Sequence, residues 1–342
     1  MLDIPWDGGP RRDLVVAGVD IGGTKVTAVL AGADGVILAS GTTASGQGGQ
    51  ALIEAAAGLI ARLESESGLR AVSVGAGAAG VIDPRTGEVL AASGNFPDWE
   101  GRRPAEAIAE RAADSIEDLL AAKPAAVLGT ATGSSPLPLY DELARRCEAG
   151  RISFKEVTGF MLDEYVGLPE GHPERYATFM ERNLRSRVDM RPGALHGPDA
   201  LSDDLQAACD AYEAAMAAAG YCDLQILGIG ADGHIGFNEP GGPLDSSTHL
   251  DELTEQTRRD NARFFDGDIN AVPTRCITQG LGTIMKARKL VLIATGENKA
   301  EAIAHLVEGE VDSQWPATVM QNHADALVLV DPAAASLLKK QY

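Results

Sequence analysis

The pattern of hydrophobic and polar positions changes character near Pro104. Upstream, short apolar runs broken by turn residues predict strands: Leu14 to Ala31 reads as two strands about a Gly-Gly turn, and Ala33-Asp34-Gly35 continues the hairpin pattern. Ala71 to Val81 reads as a Gly-rich strand, Gln50 to Leu63 has helical spacing, and Asp83-Pro84-Arg85-Thr86-Gly87 is a turn. Downstream, Ile108, Ala112, Ile116 and Leu119 fall on one face of a helix over Ala105 to Ala122. Leu205, Cys209, Tyr212 and Met216 mark another helix, which ends at Gly220 and leads into an apolar run. Helices alternating with short apolar runs predict βαβ units and an open, mostly parallel sheet with helices on both faces. The expected organisation is a loose end over residues 1–13, an α/β lobe over 14–104 and an α/β domain over 105–342.

Three of the downstream apolar runs end in residues able to do chemistry. Leu224 to Gly230 runs into Asp232, His234 and Glu239, and an imidazole flanked by carboxylates is suited to proton transfer near neutral pH. Ala125 to Leu128 runs into Thr132, Gly133, Ser134 and Ser135 ahead of Pro136, where backbone N–H groups at a helix start and nearby hydroxyls form an anion cradle. Phe154 to Leu162 ends in a turn at Asp163-Glu164-Tyr165. In an open parallel sheet the carboxyl ends of the strands share one edge, so the three turns are expected to meet. Taken singly, each has a plainer reading: Asp163 as a cap, His234 as a hydrogen-bonded core residue, the Asp232 to Glu239 stretch as a metal site or polar loop.

Composition bounds the class without choosing a reaction. The 342 residues fit two domains, and 45% hydrophobic content supplies a core. A net charge of −20 argues against nucleic acid and anionic membranes as partners, while leaving room for a locally positive site that takes an anionic substrate. Cys147, Cys209, Cys222 and Cys276 are widely spaced without a Cys-x-x-Cys, which points to buried thiols in a reducing compartment and a cytoplasmic location. No secretory signal is evident, and the longest apolar stretches, such as Leu290 to Ala294, are far short of the ~20 residues that span a bilayer.

The ordered blocks Leu128 to Pro136, Leu162 to Leu168, Gly228 to Pro240, Asn261 to Phe265 and Gly296 to Lys299 resemble the glucosamine-6-phosphate deaminase family. The resemblance implies a Rossmann-like fold and the conversion of glucosamine 6-phosphate and water to fructose 6-phosphate and ammonia in amino sugar catabolism, with no metal and no cofactor. It implies that Asp163 moves the proton between C2 and C1, that His234 opens the sugar ring with Asp232 and Glu239 as partners, and that the 132–135 cradle, Arg263 and Lys299 hold the phosphate. It further implies assembly as a homo-oligomer. A related lactonase acting on a phosphorylated sugar acid shares the cradle and the Asp-Gly-His turn, while the Asp163-Glu164-Tyr165 and Phe237 to Pro240 blocks favour the deaminase. A sensor or assembly protein that binds sugar phosphate without turnover is the remaining alternative.

A different resemblance covers residues 14–104. Val19-Asp20-Ile21-Gly22-Gly23-Thr24-Lys25, the strands around it and Asn95 to Gly101 resemble the first half of a sugar kinase of the repressor, open reading frame and kinase (ROK) family, with an actin-like or ribonuclease H-like lobe. Asp20, Gly22, Gly23, Thr24 and Lys25 would then be a vestigial nucleotide site. Phosphoryl transfer depends on positioning between two lobes, and the second-lobe motifs are missing after Arg102-Arg103-Pro104, so kinase turnover is not expected. Allosteric members of the deaminase family carry hydroxyl and basic residues after the Asn-Glu-Pro block; here that stretch holds Gly242, His249, Asp251 and Glu252, and activation by N-acetylglucosamine 6-phosphate is not expected.

Overall fold

A computed structural model describes residues 15–21, 25–32, 36–44, 49–69, 71–78, 80–82, 89–92 and 104–340. Its contacts divide the chain into two compact units, the second of which is Pro104–Leu338.

In the first unit the alternation of small and branched apolar residues forms β1 (Val15–Ile21), β2 (Lys25–Gly32) and β3 (Ile37–Ala44), followed by α1 (Gly49–Ser67) and β4 (Ala71–Ala78). They make a sheet of order β3-β2-β1-β4, with β1 antiparallel to β2 and parallel to β4. Period-two side-chain alternation sends Val15, Ala17 and Val19 of β1, and Val26, Ala28 and Leu30 of β2, into a small core with Leu59 and Leu63 of α1. The Gly-rich run after Ala71 is divided: β5 (Gly80–Ile82) leaves the sheet to pair with β6 (Val89–Ala92). Asp20 lies in β1 and Lys25 is exposed at the start of β2, whereas Gly22, Gly23 and Thr24 fall outside the described residues, as do residues 1–13, the turn at 83–87 and the block at 95–101.

The second unit opens with α2 (Pro104–Ala122), β7 (Val127–Thr130), α3 (Leu137–Glu148) and β8 (Thr158–Met161). Next come β9 (Asp163–Tyr165), α4 (Tyr176–Asn183), β10 (Leu195–His196), α5 (Leu205–Ala218) and β11 (Leu224–Leu227). It continues through β12 (His249–Glu252), α6 (Glu255–Asn261), β13 (Arg275–Thr278), α7 (Leu281–Ile284), β14 (Leu290–Ala294), α8 (Ala300–Glu308) and β15 (Ala326–Val330). Six of these strands form one parallel sheet of order β10-β8-β7-β11-β14-β15. Its inner strands β7, β11 and β14 are buried at every position, which is why they read as continuous apolar runs and not as alternating ones. Gln225 of β11 breaks that run and folds across Gly129 of β7; a Cβ at residue 129 would stand 1.9 Å from the Gln225 Oε1, so any larger residue there would have to displace the Gln225 amide. Arg146, almost wholly buried, binds Asp114 and Glu117 of α2 and Glu142 of its own helix, locking the first helix of the unit onto α3.

Sheet order positions the site. After β7 the sheet grows outward through β8 and β10, then the chain returns to place β11 on the other side of β7 and grows through β14 and β15. The reversal leaves a crevice at the carboxyl ends of β7 and β11, where the segments 131–135 and 228–234 emerge. The expected turn at Asp163 is corrected here. Asp163 to Tyr165 form β9 of a separate antiparallel sheet, order β12-β13-β9, in which Thr278 faces Asp163 and Ile277 faces Glu164. The chain steps from one sheet to the other across Leu162, so Asp163 starts a strand instead of a turn.

Candidate active site

Thr132, Gly133, Ser134, Ser135, Asp163, His234, Arg263 and Lys299 all line one pocket of about 270 Å³. Asp232 and Glu239 stand behind His234 and contact it without forming the wall. Sequence-distant residues thus meet at the crevice the sheet order creates.

The cradle comes from the short loop between β7 and α3. Gly133 takes a φ of +94°, a left-handed conformation that turns the loop tightly, and the hydroxyl residues follow it to the start of α3. On the same pocket, Lys299 ends a 3-10 turn and is the residue immediately before α8. The pKa of Lys299 is lowered, first by burial and then by the charge of Arg263, so the two cations are close enough to feel each other. A phosphate between them would relieve that repulsion, and helix starts at α3 and α8 add N–H groups of the right polarity.

Asp163 is 5% exposed, and its Oδ1 has no hydrogen-bond partner. Burial, and secondly the charge of Glu164, push its pKa well above the ordinary carboxylate range. Glu164 is 1% exposed but well partnered: it accepts N–H bonds from Tyr165, Tyr176 and Ala177, each 2.9 Å long, and so ties the start of α4 to β9. Two adjacent carboxyls therefore divide the labour, one anchoring a helix and one left bare in the pocket.

On the other side of the pocket, His234 Nδ1 lies 2.7 Å from Asp232 Oδ1, an ion-pair distance that lacks the alignment of a hydrogen bond, and 3.9 Å from Glu239 Oε2. Burial acts to raise the Asp232 pKa, but the His234 ring beside it and the His234 backbone N–H, which donates to Asp232 Oδ1 at 3.3 Å, outweigh it, and the net shift is downward. Gly230 makes the arrangement possible, since a Cβ there would come 2.4 Å from His234 Nδ1. Behind the turn, Ala317 N–H bonds the Gly233 carbonyl at 2.8 Å and Trp315 fills the space a Cβ at Gly233 would need. One atom from each of Asp232, His234 and Glu239 fall within 4.8 Å of one another, a spacing that would also admit a divalent cation.

Several lining residues escaped the sequence reading. Tyr176 and Asn261 complete a hydroxyl network, with Asn261 Nδ2 donating to the Tyr165 hydroxyl at 2.8 Å and the Tyr176 hydroxyl donating to it at 3.3 Å. Glu174 and Thr257 also reach the wall. Asn261 sits in a block already singled out, but nothing in the local pattern marks Tyr176, Glu174 or Thr257. Among the cysteines, Cys209, Cys222 and Cys276 are buried and Cys147 is half-buried, all as free thiols. No helix among the described residues is long and apolar enough to cross a membrane.

The family described as "Glucosamine-6-phosphate isomerases/6-phosphogluconolactonase" matches residues 101–329, and the ROK family matches residues 16–119. A glucosamine-6-phosphate deaminase of Beutenbergia cavernae is 63% identical over 227 residues, covering 66% of this chain and 87% of that protein. One from Mycolicibacterium smegmatis is 62% identical over 232 residues, covering 68% and 89%. Among solved structures, a monomeric glucosamine-6-phosphate deaminase is 40% identical with a TM-score of 0.67, covering 68% of this chain and 96% of that one. A 6-phosphogluconolactonase from Thermotoga maritima, 20% identical with a TM-score of 0.53 and covering 66% and 94%, shares the fold.

Proposed function

Because this chain belongs to the glucosamine-6-phosphate isomerase/6-phosphogluconolactonase family, we propose that it converts glucosamine 6-phosphate and water to fructose 6-phosphate and ammonia. The observation that carries the reading is the meeting, in one pocket, of a bare buried carboxyl, an imidazole backed by two carboxylates, and a pair of cations facing a hydroxyl cradle.

The phosphate ester is held by Arg263, Lys299 and the Thr132 to Ser135 segment, which fixes the register of the sugar carbons. His234 takes the proton of the anomeric hydroxyl and returns one to the ring oxygen, opening the pyranose. Asp232 and Glu239 orient the imidazole and stabilise its protonated form. Asp163, once ionised, removes the proton on C2 and delivers it to C1, while the aldehyde oxygen gains a proton and the amine nitrogen gives one up, converting the open-chain aldose to the 2-imine of the ketose. Water adds to the imine and ammonia leaves, giving the ketone. Ring opening and the aldose–ketose shift are proton transfers among groups already present, and the imine is hydrolysed by water itself, so the reading calls for no metal and no organic cofactor.

The same reading puts the enzyme in amino sugar catabolism in the cytoplasm, as a homo-oligomer, with a first unit that lacks kinase turnover. Sedimentation velocity tests the assembly, and a single-chain species would overturn that part. The activity itself is tested by measuring ammonia release from glucosamine 6-phosphate with purified protein. Tight binding without ammonia would favour a sensor, and hydrolysis of 6-phosphogluconolactone in its place would favour the lactonase chemistry.

A further inference from the structure

Glu239 has two oxygens with different surroundings. Its side chain is 10% exposed; Oε2 faces His234 at 3.9 Å and has no hydrogen-bond partner, whereas Oε1 is held by residues of α6 and its cap. The Thr257 hydroxyl donates to Oε1 at 2.6 Å, and the Thr254 N–H approaches it at 3.3 Å. The Thr254 hydroxyl stands 3.0 Å from the Thr257 oxygen and 3.3 Å from Oε1. Each hydroxyl has a single proton, and the shorter contact assigns that of Thr257 to the carboxylate, leaving Thr254 to donate to Thr257. Thr257 is 3% exposed and has no other acceptor for its proton among the described residues.

The terminal torsion of a glutamate is broad, so a carboxylate held at neither oxygen would swing and carry Oε2 away from the imidazole. The short charge-assisted bond from Thr257 removes that freedom. Thr254 is also the N-cap of α6, accepting the Thr257 N–H at 3.1 Å, and the chain beyond α6 carries Arg263 into the pocket within a 3-10 turn. The helix that presents the phosphate grip therefore also grips the partner of the ring-opening histidine.

We propose that Thr257, supported by Thr254, is a positioning residue that holds the Glu239 carboxylate in register with His234, so that the arm bearing Arg263 and the acid–base trio are set together. This inference rests on the deaminase reading. It requires Thr257 to act through Glu239, which separates it from a general contribution to folding.

Steady-state ammonia release is measured for wild type, Thr257→Val, Thr257→Ser, Glu239→Gln and the double variant Thr257→Val/Glu239→Gln. Loss of a hydrogen bond to a charged group is expected to lower kcat for Thr257→Val roughly tenfold. KM should stay within about twofold, Thr257→Ser should recover most of the rate, and in the Glu239→Gln background the valine should cost less than about twofold, since residues that act as a unit are non-additive. A normal kcat in Thr257→Val, or the same loss with and without Glu239, overturns the proposal. Should Thr257→Val fail to fold, Thr257→Ala is judged by the same outcomes. A wild-type protein that releases no ammonia overturns the deaminase reading instead.

Discussion

Asp163 lines the pocket, Asp232 stands behind the His234 that lines it, and the two carboxyls are treated in opposite ways. Asp163 is stripped of water, lacks a partner for one oxygen and has a like charge next to it, and its pKa rises. Asp232 is half-buried against His234, and its pKa falls. The same side chain is made basic in one place and kept as a fixed negative charge in the other. A carboxylate that must pull a proton from carbon gains from a raised pKa, because proton affinity is what it supplies. One that must steady an imidazolium gains from staying ionised. Burial without partners produces the first and the contacts with His234 produce the second, so the division of labour follows from the environment and not from residue type.

The most severe way to break this contrast is to remove the unpartnered carboxyl. Asp163→Asn keeps the shape and loses the base, and ammonia release should fall by roughly 10²- to 10⁴-fold, the usual worth of a positioned acid–base group. Exchange of the C2 proton with solvent should disappear while binding of a competitive sugar phosphate persists. Retention of normal turnover would remove Asp163 from its assigned role.

Next in size is Arg263→Ala. In the proposed reading its guanidinium serves the phosphate and not the proton transfers, so Asp163 and Asp232 should both keep their character. KM should rise about 10- to 100-fold, as expected for loss of hydrogen bonds between charged groups, with a smaller change in kcat. An unchanged KM would place the phosphate elsewhere.

The contrast also has a thermodynamic side. A carboxyl whose pKa is raised on folding contributes stability below its unfolded pKa and loses it as pH rises through the folded value. Near pH 8 the wild-type protein carries that cost at Asp163, whereas Asp163→Asn does not. Its melting temperature should be higher there by roughly 2–4 °C, equivalent to about 1 kcal/mol in a domain of this size. The gain should shrink as pH falls toward the ordinary carboxylate range, and calorimetry at both ends reads it. Asp232 has the opposite sign, with stability present above the unfolded pKa and lost in acid. An inactive variant more stable than its parent is the expected mark of a site built against its own stability.

The alternation of helices with mostly apolar runs made the parallel sheet legible, because strands buried on both faces show little polar interruption, Gln225 of β11 and Thr130 at the end of β7 apart. Thr132 to Ser135 and Asp232 to His234 were legible because glycine and small polar residues follow such runs directly. Asp163 was found as a group but misjudged as a turn. Its partner strand β13 begins at Arg275, and nothing local to Phe154–Tyr165 reveals a pairing so distant in sequence. Thr257 was wholly hidden, since Thr254 to Asn261 reads as a solvated polar stretch and only the fold brings it to Glu239. Direct succession along the chain is visible in a sequence; the second contact of each carboxylate is not.

The smallest expected effect concerns whether anything beyond internal contacts sets the His234 side. The chain leaving Glu239 is pressed against the start of α7: a Cβ at Gly280 would lie 2.2 Å from the Ser246 carbonyl oxygen, and one at Gly282 would lie 2.5 Å from that of Asp245. Thr248 is bound by Glu213, and the strand beyond presents Asp251, whose pKa is lowered because His249 outweighs the effect of burial. In that tightly packed segment the Asp251 carboxylate, 3.5 Å from the His249 ring, offsets the positive charge His249 could offer, leaving a second sugar phosphate little space and no net cation. Saturating N-acetylglucosamine 6-phosphate should therefore shift half-saturation by glucosamine 6-phosphate less than twofold, against roughly fivefold or more where two sites are coupled. A larger shift would mean that the Glu239 end is set from outside, and the hydroxyls of α6 would then be one state of a movable arm instead of its fixed clamp.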